Sequence, residues 1–556
     1  MKPTEYNISS EKFVLIGKNR QIHDKELATK PVSYFADAFS RFKKNKASIA
    51  ASIIIIILVF FAIFGPMLTP YTVGFSDGYY KNVLPKNELF VSLGIEFWDG
   101  AEDKESTAQN FYYYYGIGEE TGSNAIVNQN YNTVKRLNNK KKETTYYQYR
   151  LDSYRSTGVI FTSVTPKEYK AIQEYQDRTG IQVIYPMTSL YLRPASKTDN
   201  NNANYWYETI LKDGKTFLQV DEKKDVSSAY KNIYYKIETL EEINAYIETL
   251  PETTADELLF KEQISSDLLN MLERGDGGYN SLRTEGEEAK YYYARPTGST
   301  YEIRVNYYEY FNYLHQEVYK DGISYASFFF GATHNGQDIF ACLSSGARFS
   351  FILAIIVASV NLFVGAIYGA IEGYYGGKID LLMERFVDIL SAVPFMVVIT
   401  LLKYHMRESS QVLVIFIAFF LTGWIGMAGR TRMQFYRFKN QEYVLAARTL
   451  GATDARIMFK HIFPNALGTL ITSCVLVIPG VIFSETSLSY LGIINLNSGD
   501  MTSVGTLLAN AQPFLVQFPH MVFFPALFIC LLMLSFNLFG NGLRDAFNPS
   551  LRGTED

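Results

Sequence analysis

Residues with chemistry to offer are sparse in this sequence, and their spacing excludes more than it allows. Histidine occurs six times in 556 residues, and His315 is the only one between positions 71 and 330. No His-Glu-x-x-His pair or other metal-spaced set occurs in that stretch, which leaves zinc hydrolysis without ligands. The three cysteines, Cys342, Cys474 and Cys530, lie in or beside apolar segments, so the same stretch has no disulfide framework. "DGKT" (Asp213–Thr216) ends like a phosphate loop, but the position five before Gly214 is Thr209 and not glycine. Nucleotide binding by a Walker A loop is therefore excluded.

The distinctive spacing lies elsewhere, in "EYVLAARTLGATDARIMFKHIFPNA" (Glu442–Ala466). It is too polar to cross a bilayer and reads as two short helices. Asn440 can cap the first, "QEYVLAARTL", which Gly451 ends as a glycine beyond the last turn. Thr453 can cap the second, "DARIMFKHIF", which Pro464 terminates. Ala446 and Ala447 leave a flat patch that another protein's backbone can approach closely, while Arg448 and neighbouring cations offer pairing to acidic groups. An amphipathic helix lying on anionic lipid accounts for the cations, but not for the Ala-Ala, Gly and Pro spacing.

That segment must be held between membrane spans. "ASIAASIIIIILVFFAIFGPM" (Ala47–Met67) carries no charge and no polar face, and is long enough to cross ~30 Å of hydrocarbon. It shows no small-residue cleavage site and so reads as a span, not a removable signal. Further candidates are Phe349–Ile371, Phe386–Leu402, Val412–Gly429, Leu467–Ser484 and Met521–Gly540. "RFKKNK" (Arg41–Lys46) before the first span places residues 1–46 in the cytoplasm. Six spans then put both termini inside and residues 430–466 on the cytoplasmic face. Those residues carry Arg430, Arg432, Arg437, Lys439, Arg448, Arg456 and Lys460 against Glu442 and Asp454 alone, in agreement with the same orientation. Pro394, Pro479 and Pro525 within spans read as kinks. Asn361, Thr400 and Ser473 either line a pathway or hydrogen-bond between helices.

Charge divides the chain. Residues 71–330 hold 38 acidic and 28 basic side chains, and the remainder 18 and 24. An acidic block, residues 69–326, is thus inserted after the first span (47–68) on the outer side, and it is too long for a loop. It reads as mixed α/β. "STGVIFTSV" is strand-like, "TPKE" (Thr165–Glu168) is a capping box with proline at the first helical position, and the helix stops at Gly180 before the strand "IQVIYP". "NIYYKIE" and the capping box "TLEE" (Thr239–Glu242) repeat that order faintly. Tyrosine runs such as "FYYYYG" (Phe111–Gly116) and "VNYYEYFNYLH" (Val305–His315) suit either an aromatic gripping surface or ordinary strands.

"EYVLAARTLGA…HIFPN" resembles the EAA loop of ABC-importer permeases, in the version typical of oligopeptide and dipeptide permeases. Other segments resemble the C-type subunit of oligopeptide permeases in the same order: "FADAFSRFKKNKASIAA", "FFFGATHNGQDIFACLSSGARFSF" (Phe328–Phe351), "SLSYLGI" and "FNLFGNGLRDAFNPSLR" (Phe536–Arg552). Within the second of these, Gly331, Asp338, Gly346 and Arg348 match the family signature, but Gln337 stands where the family has arginine. Short family members lack the acidic insert.

The resemblance implies an α-helical integral membrane protein with about six transmembrane helices in the type I ABC-importer permease fold, the inserted α/β domain being extracellular and residues 327–556 forming the core. It implies a multi-pass subunit of the plasma membrane that imports oligopeptides. The implied partners are a homologous second permease subunit, two cytoplasmic ATPase subunits, an extracellular peptide-binding lipoprotein, peptide substrate and lipid, with no nucleic acid. This chain would carry no cofactor, Mg-ATP residing on the ATPases. Glu442, Ala446, Ala447, Arg448, Gly451 and Pro464 are the expected ATPase-coupling residues, and Asn361, Thr400, Ser473 and Glu485 the expected path residues, Glu485 being able to meet a peptide's amino terminus. Other cargoes of the same architecture are dipeptides, nickel chelates, glutathione and signalling peptides. A different class of function is a membrane-anchored peptide receptor.

Overall fold

The computed structural model describes residues 34–137, 143–185, 240–248, 293–496 and 502–547, with single positions between 252 and 266. Helix α1 (Tyr34–Lys44) leads into α2 (Lys46–Leu68), whose first turn is capped by Asn45 accepting from the Ser48 N–H at 3.2 Å. Ser48, Ala51, Leu58, Ala62 and Gly65 form the buried stripe of α2, while Ile53, Ile56, Ile57 and Phe60 face outward. Small residues set that packing. A Cβ on Gly65 would lie 2.5 Å from Ser344, and one on Gly542 1.8 Å from Ser48. In lipid, close backbone approach of this kind takes the place of hydrophobic burial.

Two antiparallel sheets build the insert. The first contains β1 (Ala101–Thr107), β2 (Ile126–Leu137) and β3 (Glu143–Asp152), with β3 central and helix α3 (Ala108–Thr121) between β1 and β2. In the second, β4 (Val159–Val164), β5 (Ile184–Tyr185) and β6 (Ala294–Thr297) all pair with β7 (Thr300–Asn306). Between β4 and β5 runs α4 (Pro166–Thr179), with the Thr165/Glu168 capping box formed and Gly180 closing it at φ +70°. Helix Leu240–Glu248 is present, whereas Thr239, "NIYYKIE" and "DGKT" lie outside the described residues.

The tyrosine runs divide between strand and helix, with Tyr146, Tyr147 and Tyr149 in β3. "FYYYYG" lies in α3, and Tyr307–Tyr313 forms a helix, α5, so these runs are not strands. Tyr80, Tyr154, Tyr169 and Tyr293 are fully buried among Ile160, Ile172, Ile303, Val305 and Phe328 in one core. Tertiary contact overrides strand propensity here: Phe111 of α3 stacks on Tyr147 of β3 with centroids 4.3 Å apart.

The insert is fastened to the bundle by the segments on either side of it. The Asp77 N–H donates to Gly336 O (3.1 Å), Gln337 Nε2 to Val73 O (2.9 Å) and Trp98 Nε1 to Phe329 O (2.7 Å). Tyr307 donates to the Asp77 carboxylate. Burial, reinforced by that charge, pushes the Tyr307 phenol far above its ordinary pKa, so it remains a neutral donor.

Beyond the insert come α6 (Ile339–Tyr375), α7 (Gly377–Ser391), α8 (Phe395–His405), α9 (Gln411–Thr422), α10 (Ile425–Phe438), α11 (Glu442–Thr449), α12 (Phe463–Tyr490), α13 (Val504–Ala511) and α14 (His520–Phe547). Among the described residues five helical stretches are long and apolar enough to cross a membrane, and the α7–α8 pair makes a sixth if it counts as one span. The expected span Phe386–Leu402 is two helices bent by 71°, a sharper form of the kink read at Pro394. Pro394 stands at the break, where it cannot donate to the preceding turn. Other spans outrun their expected limits, and Gln411–Phe438 and Asp454–Tyr490 each continue toward the loop between them. Residues 430–466 are therefore mostly helical extensions around a short connection. The 37 residues of α6 reach about 55 Å at ~1.5 Å per residue, from the insert to the opposite, loop-bearing end.

Candidate coupling site

Helix α11 is the one element between α10 and the Asp454–Tyr490 stretch, and it hangs on a single buried side chain. Val444 is fully buried with Tyr374, Phe435, Ile457, Met458 and Ile462. Glu442, Ala446, Arg448 and Gly451 are exposed, and Ala447 is half-buried. Glu442, Ala446 and Leu450 repeat every four residues and so share one face; Leu450 is 87 % exposed. Sequence reading passed over Leu450, although a leucine directly before a helix-ending glycine on the Glu442/Ala446 face was a usable signal.

The end of α11 is fixed by backbone geometry. Gly451 has φ +82°. Its N–H bonds Arg448 O at 3.0 Å, and the next N–H, of Ala452, bonds Ala447 O at 3.1 Å, the paired closure of a Schellman motif. At the start, Gln441 holds the cap position with no side-chain bond, so Asn440 does not cap as expected. Thr453 holds the cap of the next helix by backbone alone. Pro464 does not terminate that helix. It lies in the first turn of α12 after a π-helical turn, Ile457–Ile462, where a missing N–H leaves no bond unmade. The two-helix loop of the sequence reading is thus one short helix and the root of a long one.

Polar contacts tie this unit to the elbow between α6 and α7. Tyr374 OH donates to Asp454 Oδ1 (2.6 Å), the Arg448 guanidinium lies 5.8 Å from the centre of the Tyr374 ring, and Lys439 Nζ donates to Gly373 O (2.9 Å). Arg432 of α10 faces Glu372, Asp380 and Glu384. Sequence reading missed this cluster, because its four members come from three helices.

The signature residues serve the insert end. Gly331 has φ +80°, and a Cβ there would meet Val83 O at 2.5 Å. Asp338 caps α6, accepting from the Phe340 and Ala341 N–H groups and from Thr69 Oγ1 at 2.9 Å. Gly346 lets α6 approach Ser503 and Val504, and Arg348 is exposed. The four expected path residues are not brought together. Asn361 is buried against Gly423, exposed Thr400 donates to Met396 O of its own helix, and Ser473 is half-buried. Buried Glu485 accepts from Ser350 Oγ of α6 (3.1 Å), an interhelical bond, and from Ser489 Oγ of its own helix (3.0 Å). None of them lines the cavity of about 280 Å³ at the insert end, whose walls include Thr333, His334, Asn510 and Phe514.

Comparison with known families meets this geometry. Residues 361–553 match the model described as binding-protein-dependent transport system inner membrane component. Residues 33–85 match the N-terminal TM domain of oligopeptide transport permease C. The first match sets the class, a multi-pass inner-membrane subunit of a binding-protein-dependent transport system, with a transport and not a catalytic role. The chain is 44 % identical over 223 residues to the oligopeptide transport system permease protein OppC of Bacillus subtilis (strain 168), covering 40 % of this chain and 72 % of that protein. It is 38 % identical over 229 residues to the dipeptide transport system permease protein DppC of the same strain, covering 41 % and 70 %. To the OppC protein of Escherichia coli (strain K12) it is 34 % identical over 224 residues, covering 40 % and 73 %. The chain belongs to the oligopeptide permease C family. Residues 86–360, which contain most of the insert, fall between the two family matches.

Proposed function

We propose that this chain is the transmembrane permease subunit of an ATP-driven importer of oligopeptides. It forms half of a translocation path with a homologous subunit in the plasma membrane and docks two ATPase subunits on its cytoplasmic face. The observation that carries this reading is α11, a short helix with an exposed Glu442/Ala446/Leu450 face, closed by Gly451 and rooted on both sides in membrane-crossing helices. Such a helix transmits force: it presents a surface for a partner and has no flexible tether in which movement is lost. Excess Arg and Lys at this end orients it to the cytoplasm, which puts the insert outside. ATP and Mg²⁺ act on the partner ATPases, and this chain's residues supply the docking face and the path.

Gly451→Asp tests the docking role. A Cβ there has no atom within 4 Å, so the spans should still fold, while φ +82° strains any other residue. ATP hydrolysis in the reconstituted complex should then run without peptide uptake. Normal uptake by the mutant would overturn the reading. Similarity to both oligopeptide and dipeptide permeases leaves cargo length to be measured, by titrating ATPase activity with peptides of increasing length.

For the insert, the reading is a docking platform for the extracellular peptide-binding lipoprotein. Its acidic balance and outward position support this. The Ser153 N–H donates to Gly100 O at 2.9 Å, so residues 101–152 can be replaced by a tight turn without moving the second sheet. Unchanged uptake and unchanged binding-protein affinity after that excision would rule out a platform on the first sheet.

A further inference from the structure

Helix α10 runs directly into the α11 connection, and its Arg432 is surrounded by three carboxylates from the α6–α7 elbow. Arg432 Nε lies 2.7 Å from Asp380 Oδ1 and 3.6 Å from Glu372 Oε1, and Nη1 lies 2.5 Å from Glu384 Oε2. Those three acids can bring oxygens within 4.8 Å of one another. Anions held that close repel unless a cation stands among them, and here the guanidinium is that cation. Its planar fork engages Asp380 and Glu384 in different directions at once, which a lysine ammonium cannot do with the same fixed geometry. Tyr436 OH donates to the Asp380 carboxylate, and Lys439 Nζ lies 4.1 Å from the centre of the Tyr436 ring.

The cluster continues a stripe of close packing. Added Cβ atoms on Gly365, Gly369 and Gly373 would lie 2.7, 2.1 and 2.7 Å from atoms of the α10 region. Along α6, then, contact with α10 is backbone on backbone, and it ends in an ion cluster at the elbow, where Gly376 and Gly377 both have positive φ. The other end of α6 is capped by Asp338, beside the segments that fasten the insert.

Resting on the importer reading above, we propose that Arg432 is a positioning residue for transport: it locks α10 to the α6–α7 elbow, so that displacement of α11 moves α6 as a lever. Arg432 acts through these helices and contacts neither nucleotide nor peptide. It sets what fraction of each ATPase stroke reaches the path.

The test uses the complete complex with its binding protein in liposomes, with labelled penta-alanine as probe, and reads peptides transported per ATP hydrolysed. Arg432→Gln should lower that ratio about tenfold, within the usual range of coupling between sites, while hydrolysis continues. Arg432→Lys should restore part of the ratio, because it returns the charge without the fork. A wild-type ratio in Arg432→Gln, or equal loss in the Gln and Lys variants, overturns the proposal. If Arg432→Gln fails to reach the membrane, Glu384→Gln decides: it keeps the Asp380 pair and should lower the ratio about two- to threefold, and an unchanged ratio overturns the proposal. A wild-type complex that hydrolyses ATP without importing any peptide would sink the importer reading and this proposal with it.

Discussion

The permease bundle and the insert solve opposite packing problems. In the bundle, large apolar side chains such as Ile56, Phe363, Leu382 and Ile389 are exposed, and beside buried Ile415, Phe528 and Leu532 the closest helix approaches are made at Gly65, Gly369, Gly373 and Gly542. In the insert, the largest side chains are inside: Tyr80, Tyr154, Tyr169, Tyr293 and Phe311 are fully buried. Lipid tails are as apolar as leucine, so a leucine gains little by turning inward, and helices associate through close van der Waals contact. Water expels aromatic surface, so the insert gathers its rings at the centre, with the Tyr154 hydroxyl bonded on both sides. The bundle is therefore vulnerable to added atoms, and the insert to removed ones.

That contrast breaks first at Tyr154. Its OH donates to Leu84 O at 2.8 Å and accepts from the Phe328 N–H at 3.2 Å. Tyr154→Ala should cost the insert about 3–5 kcal/mol by cavity formation. Limited proteolysis should then cut within the insert while the spans stay protected. Loss of protection in the spans as well would mean that the two regions unfold as one unit. Next comes Gly369→Leu, whose Cβ would fall 2.1 Å from Ala428 O. Overpacking should cost about 1–3 kcal/mol, seen as a lower melting temperature in detergent and reduced uptake. Thr165→Ala marks the small end of the scale. It removes the capping bond to the Glu168 N–H at 3.3 Å, should cost about 1 kcal/mol, and should leave uptake unchanged.

Much of the bundle was legible in advance. Long uncharged runs, flanking cations and the "EYVLAARTLGA" spacing place the spans, the orientation expected for them and the helix closed by Gly451. In the insert, the Thr165–Glu168 box and Gly180 mark both ends of α4 as the sequence predicts. The errors share a cause. Asn440 and Pro464 are places where a strong local signal has two outcomes, whereas the kink read at Pro394 falls where the span breaks. Proline can end a helix, begin one or bend a pair, and the choice depends on which neighbour takes up the unmatched carbonyls. Two tyrosine runs are helical and not strands for a related reason, since a helix and a strand bury an aromatic ring equally well when another ring stands opposite.

Sequence by itself determined which segments enter lipid, where the chain carries its charge, and that one polar helix must sit between two spans. These follow from transfer free energies and capping bonds, which act over a few neighbouring residues. Tertiary structure alone decided that Glu372, Asp380 and Glu384 meet around Arg432, that Glu485 accepts from Ser350 and Ser489, and that the insert is bonded to the head of α6. Each of these depends on side chains far apart in the chain, and no local preference specifies which distant partner a charge or a glycine will face.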